Sequence, residues 1–185
     1  MNSMKHTLFF LLLSTCAAVS AQQHITRAGH VHFFSSTPLE DIEADTHQMS
    51  AILDLSNEQA VGFAFQVPIL SFHFEKALME EHFNESYLES EQFPRATFEG
   101  IIENWDALPD NGDWSDVAAS GMLTIHGIQR ERMIQGQMRM NGDSWEIQAA
   151  FDVLTADHDI KIPKMVQKQI ADRIAVTVEA QLTPR

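Results

Sequence analysis

Apolar and polar residues alternate with a period of two along most of this chain, most clearly in its second half. Ala96, Phe98, Gly100 and Ile102 share one face of a run from Arg95 to Glu103. Val117, Ala119, Gly121, Leu123 and Ile125 do the same. So do Ile134, Gly136, Met138 and Met140, then Trp145, Ile147, Ala149, Phe151 and Val153, then Ile174, Val176, Val178, Ala180 and Leu182. Such alternation marks a strand with one buried face. In the first half, His30–Ser36, Met49–Leu55 and Phe63–Ile69 read the same way, with Leu39–Asp45 as a further candidate. The pattern predicts eight strands, or nine if the last of these pairs.

The connections predict antiparallel neighbours. Asn141-Gly142 between two alternating runs is a type I′ hairpin signal. His126-Gly127 separates two others, and Pro109 to Asp113 reads as a loop. Two segments read as helix. In Phe74–Phe83, Phe74 and Leu78, then Met79 and Phe83, lie four apart, and Asn84 is placed to cap the end. Pro163–Asp172 opens on proline and puts Val166 and Ile170 on one face.

The expected fold is therefore all-β: an antiparallel sandwich or closed barrel of about eight strands with one or two short helices. A barrel of that size is filled by side chains or holds one small ligand. Gly100, Gly121 and Gly136 fall on apolar faces, which means either sharp bends or interior room. Twelve Phe against one Tyr favours a dry interior.

The N-terminus reads as a targeting segment. Lys5 and His6 precede an apolar stretch from Thr7 to Val19, and Val19-Ser20-Ala21 fits a cleavage site. Residues 1–21 are expected to be a signal peptide and residues 22–185 the barrel of an exported protein, periplasmic or secreted, without stable membrane insertion. Cys16, the single cysteine, would leave with the signal, unless it is itself acylated in a lipoprotein. After cleavage no disulfide or thiol chemistry is available.

The net charge of −14 would become one unit more negative on loss of Lys5. Nucleic acid is a poor partner for that surface, and anionic lipid headgroups are equally disfavoured.

Motifs of chemistry are few. His30 and His32 lie two apart on a predicted strand and share a face, either as the start of a metal site or as two solvent-facing side chains. Glu80, Glu81, His82 and Glu85 cluster near the first helix end, either for acid–base work or as a solvated face. Ser71, Thr124 and His126 form no recognisable nucleophilic motif. Asn84-Glu85-Ser86 matches a glycosylation sequon by chance. No phosphate loop, zinc-protease motif or dinucleotide fingerprint occurs, and no cofactor is expected. The Phe-rich centre is either an aromatic core or an apolar tunnel under a helical lid.

The segment Phe74–Asn84, then Tyr87–Ser90, then Phe93-Pro94-Arg95-Ala96-Thr97-Phe98-Glu99-Gly100 resembles the YceI-like family, as does Gly121–Ile128. The opening strand, Gly29–Phe33, is similar but lacks the usual leading tryptophan. The resemblance implies a lipocalin-like barrel that binds polyisoprenoid or quinone-type chains in its interior and is not an enzyme. By that resemblance and by alternation, the expected pocket residues are Phe63, Phe65, Phe74, Leu78, Phe83, Phe98, Leu123, Ile125, Met138 and Phe151. The rivals are a ligand-free interaction or stress-response module, and a metal-assisted enzyme using His30, His32 or His82.

Overall fold

Nine strands account for most of the ordered backbone, and eight of them close into an antiparallel barrel. The computed structural model describes residues 23–57, 59–108 and 112–185. The expected signal peptide and Cys16 lie outside the described residues. The strands are β1 (Gln23–Ser36), β2 (Asp41–Asp54), β3 (Gly62–Pro68), β4 (His73–Phe74), β5 (Arg95–Ile102), β6 (Ser115–Ile125), β7 (Ile128–Asn141), β8 (Ser144–Leu154) and β9 (Arg173–Pro184). Their order is β1-β9-β8-β7-β6-β5-β3-β2, and β1 pairs with β2 to complete the circle. Closure leaves none of these eight strands with an open edge. The two-residue β4 adds to β2 through Ala44↔Phe74 and Asp45↔His73.

The apolar faces read from the sequence point inward. Val117, Ala119 and Leu123 of β6 are buried, as are Phe98 and Ile102 of β5 and Trp145, Ile147 and Val153 of β8. Of the Leu39–Asp45 candidate, Asp41–Asp45 pairs as the first part of the long β2 and not as a strand of its own, while Leu39 and Glu40 lie in the turn before it.

Gly100 and Gly121 face each other across β5 and β6. A Cβ on Gly100 would lie 2.8 Å from the Cα of Gly121, and one on Gly121 would lie 2.6 Å from the Cα of Gly100. The two glycines allow a close backbone approach where the sheet curls, and neither lines the large cavity described below.

The hairpins correct one expectation. The β6–β7 turn is His126-Gly127, with φ of 51° and 71°. Two positive φ values are the type I′ requirement. At the β7–β8 turn, Asn141 and Ser144 are paired and the loop residues are Gly142 and Asp143; only Gly142 has positive φ, 67°. The type I′ geometry assigned to Asn141-Gly142 therefore sits one hairpin earlier.

The helices are shorter than the pattern predicts. Helix α1 spans Ala77–His82 and passes into one π-helical turn, Phe83–Tyr87. Asn84 does not end the helix as expected: Phe83 is the C-cap of α1, the backbone stays helical to Tyr87, and Asn84 Nδ2 donates to the Glu80 carbonyl at 2.9 Å from within that turn. The second expected helix, over residues 163–172, is a run of turns. Val166 and Ile170 do turn inward, yet the segment is fastened by tertiary contacts, such as the Ala171 N–H donating to Ser35 Oγ at 3.0 Å.

Candidate apolar cavity

The barrel has a filled end and a hollow end. At the filled end Leu53 and Leu182 are fully buried, and Trp105 packs against Trp145 with ring centroids 4.8 Å apart. Above them, Phe98 is fully buried and stacks on Phe65 at 5.6 Å. A void of about 40 Å³ persists beside Phe63, Phe98, Ile134, Gly136 and Met138.

Beyond this floor lies a cavity of about 250 Å³. Strands supply its side wall: Val31 and Phe33 from β1, Phe65 and Val67 from β3, Leu123 and Ile125 from β6, Phe151 and Val153 from β8, and Val176 and Val178 from β9. Two segments form the roof. One is α1 with its π turn, through Met79, His82, Phe83, Tyr87 and Leu88; the other is the irregular stretch holding Ile160, Ile162, Val166 and Ile170. Phe83 is tied to the barrel by aromatic contacts, stacking on Phe33 at 5.4 Å and meeting Phe74 at 5.1 Å and Phe72 at 5.6 Å. His82 and Gln169 belong to the wall and are exposed, which marks the mouth between the two roof segments.

The wall is nearly all hydrocarbon, and its polar members among the described residues are Ser35, Glu40, His82, Tyr87, Thr155 and Gln169. Burial pushes the Tyr87 phenol above its ordinary value, so it remains a neutral hydroxyl. Glu40 accepts an ion pair from Lys76 at 3.0 Å. No Lys or Arg among the described residues lines the cavity.

Of the ten expected pocket residues, Phe65, Phe74, Phe83, Leu123, Ile125 and Phe151 line the cavity together. Phe63, Phe98 and Met138 lie below the floor, around the smaller void. Leu78 is 62% exposed and lines neither space. The sequence reading missed Phe72, Tyr87 and the 160–170 segment. Val31 and Phe33 were visible as one strand face, but irregular backbone has no periodicity to reveal Ile160 or Ile162.

The histidine pair lies on the outer wall. His30 Nε2 and His32 Nδ1 both meet Asp45 Oδ1, at 2.8 and 3.2 Å, and His30 stacks on His47 at 4.4 Å. Burial raises the Asp45 pKa, but the hydrogen bonds and charge of the two imidazoles outweigh it and hold the carboxyl below its usual range. Among the described residues no group of three or more His, Cys, Asp or Glu converges as a metal site. His82 stands at the cavity mouth and takes no part in those contacts.

Known structures share this architecture. A polyisoprenoid binding domain from Saccharophagus degradans, implicated in plant cell wall breakdown, superposes with a TM-score of 0.72 at 14% identity, covering 90% of this chain and 100% of that one. Burkholderia cenocepacia BcnA gives 0.69 at 15% identity, over 84% of this chain and 96% of that one. The Campylobacter jejuni YceI protein gives 0.55 at 11% identity, over 100% and 93%. No curated protein matches this chain. The sequence of the YceI-like domain is matched over residues 19–182, nearly the whole length that builds the barrel and its roof, and the chain belongs to the YceI-like family.

Proposed function

We propose that this protein is an exported carrier that holds an uncharged, apolar isoprenoid chain at the hollow end of its barrel. The observation that carries this reading is the 250 Å³ cavity walled by aliphatic and phenylalanine side chains beneath a two-part roof. The similarity to a polyisoprenoid binding domain supports the choice of ligand class.

Size and charge narrow the ligand. An enclosed apolar cavity of about 150 Å³ accepts benzene. On that scale this one encloses about ten carbon atoms, or two isoprene units, with any further chain emerging between His82 and Gln169. About ten carbons removed from water contribute roughly 8 kcal/mol, against an association cost of at least about 4 kcal/mol, so the chain is held reversibly. A quinone or alcohol head finds Tyr87, Thr155 and Gln169 as hydrogen-bonding partners. Among the described residues the wall itself offers a phosphate head no cation, and Lys76 beside Glu40 is already paired with that carboxylate.

Organic extraction of natively purified protein, followed by mass spectrometry and by uptake of added farnesol and farnesyl phosphate, tests this. Bound isoprenoid, or uptake of farnesol at least tenfold tighter than of its phosphate, is expected. Absence of both extracted lipid and uptake contradicts the carrier reading, and equal uptake of both compounds contradicts the neutral head.

A further inference from the structure

Two surface features coincide at the cavity mouth. Five large apolar side chains are more than three-fifths exposed: Leu39 (66%), Leu70 (62%), Leu78 (62%), Met133 (61%) and Met165 (95%). Only Met133 sits on the outer barrel wall. Each of the other four is next in sequence to a residue of the cavity wall: Glu40, Ile69, Met79 and Val166. The lysines among the described residues are Lys76, Lys161, Lys164 and Lys168, and they flank the same roof segments. The stretch from Ile160 to Ala171 has three of them and no acid, between Asp159 on one side and Asp172 on the other, in a chain whose net charge is −14.

These segments are tied into one rim. Glu40 holds Lys76 across the mouth edge at 3.0 Å, Thr46 and Ser71 share a hydrogen bond of 2.7 Å beneath Leu70, and Ser35 anchors Ala171 at 3.0 Å. Lys161 is 87% exposed and only 3.9 Å from Asp159, while Lys164 and Lys168 make no ion pair among the described residues.

We propose that the mouth end docks on an anionic lipid bilayer. The 160–170 segment leads: Met165 enters the interface, Lys161, Lys164 and Lys168 meet the headgroups, and Leu39 and Leu78 follow from the neighbouring parts of the rim. Apolar side chains between lysines are the chemistry of interfacial binding. The average charge disfavours such a surface, but screening over about 8 Å confines the interaction to the charges that touch it. The carboxylates Glu80, Glu81 and Glu85 of the other roof segment are why the lysine segment makes first contact. If the carrier reading holds, docking opens the mouth directly into hydrocarbon; the docking itself does not depend on that reading.

Sedimentation of the purified protein with vesicles tests this. Vesicles of phosphatidylcholine containing about one-third phosphatidylglycerol should bind the protein, and those of phosphatidylcholine alone should not. Each lysine near an anionic surface is worth about fivefold in partitioning, so Lys164→Glu with Lys168→Glu should lower binding more than twentyfold. Met165→Asp should also lower it, and Met133→Asp should leave it unchanged. No binding to the anionic vesicles, an equal loss with Met133→Asp, or indifference to the lysine changes would overturn the proposal. Farnesol uptake in vesicle-free solution should be the same in the lysine variant and the parent, so failure of the cavity reading would show there and not in sedimentation.

Discussion

At Gly100 the barrel has no room for a single added carbon, because the Cα of Gly121 is 2.8 Å from where a Cβ would stand. Gly100→Ala should destabilise the fold by about 1–3 kcal/mol through forced separation of β5 and β6, read as a lower urea midpoint. An unchanged midpoint would mean that the strands part freely. His158 has the opposite problem, a polar ring with no access to water. Its Nδ1 donates to the Ile128 carbonyl at 3.1 Å, and its Nε2 has no hydrogen-bond partner among the described residues. Burial pushes its pKa below the ordinary 6.5, outweighing the backbone hydrogen bonds that act to raise it. The folded protein thus refuses a proton that the unfolded chain accepts. Stability should be complete above about pH 6.5 and decline as pH falls through that value towards the depressed folded pKa. Urea midpoints at pH 7.5 and 5.5 should differ, and His158→Gln should narrow the gap. An unaltered pH dependence in that variant would exclude this histidine as its source. Neither feature was fully legible beforehand. The glycines were visible on apolar faces, but bend and void could be separated only once Gly100 and Gly121 were seen to pair. Nothing in the sequence marked His158 as buried.

The elements differ in how plainly they are written. Strands β5 to β9 follow their alternation because each has one face in the core and one in water, a contrast that local sequence must encode. The roof obeys a weaker rule. Residues Ala77–Tyr87 retain helical spacing and form α1 with its π turn. Residues 163–172 have the spacing but not the helix, since their inward groups are fixed by distant partners that a local pattern does not contain. Chief among these is Ser35, itself buried at the end of β1. Ser35→Ala removes the acceptor for Ala171 N–H and leaves that donor unpaired, at a cost of about 1–3 kcal/mol. The loss should appear as faster amide hydrogen exchange over residues 160–171, with β5 to β8 unchanged. Uniformly faster exchange through the barrel would show that the segment opens only with global unfolding.

For the molecule as a whole, the barrel could be read from the strand count and turns, but its hollowness could not. Alternation places Phe63, Phe65 and Phe98 on inward faces without saying how far along the barrel axis each lies. The Phe65–Phe98 stack and the Trp105–Trp145 pair fill one half, so three of the expected pocket residues fall below the floor. The account rests on the other half being an apolar receptacle. Ala96 is a small residue on its wall, and enlarging it places bulk in the space. Calorimetric titration of farnesol into the parent protein and into Ala96→Phe tests the claim most directly. One equivalent should bind the parent, and the variant should remain folded with affinity at least tenfold weaker. No heat of binding in the parent, or equal affinity in a folded Ala96→Phe variant, would contradict it.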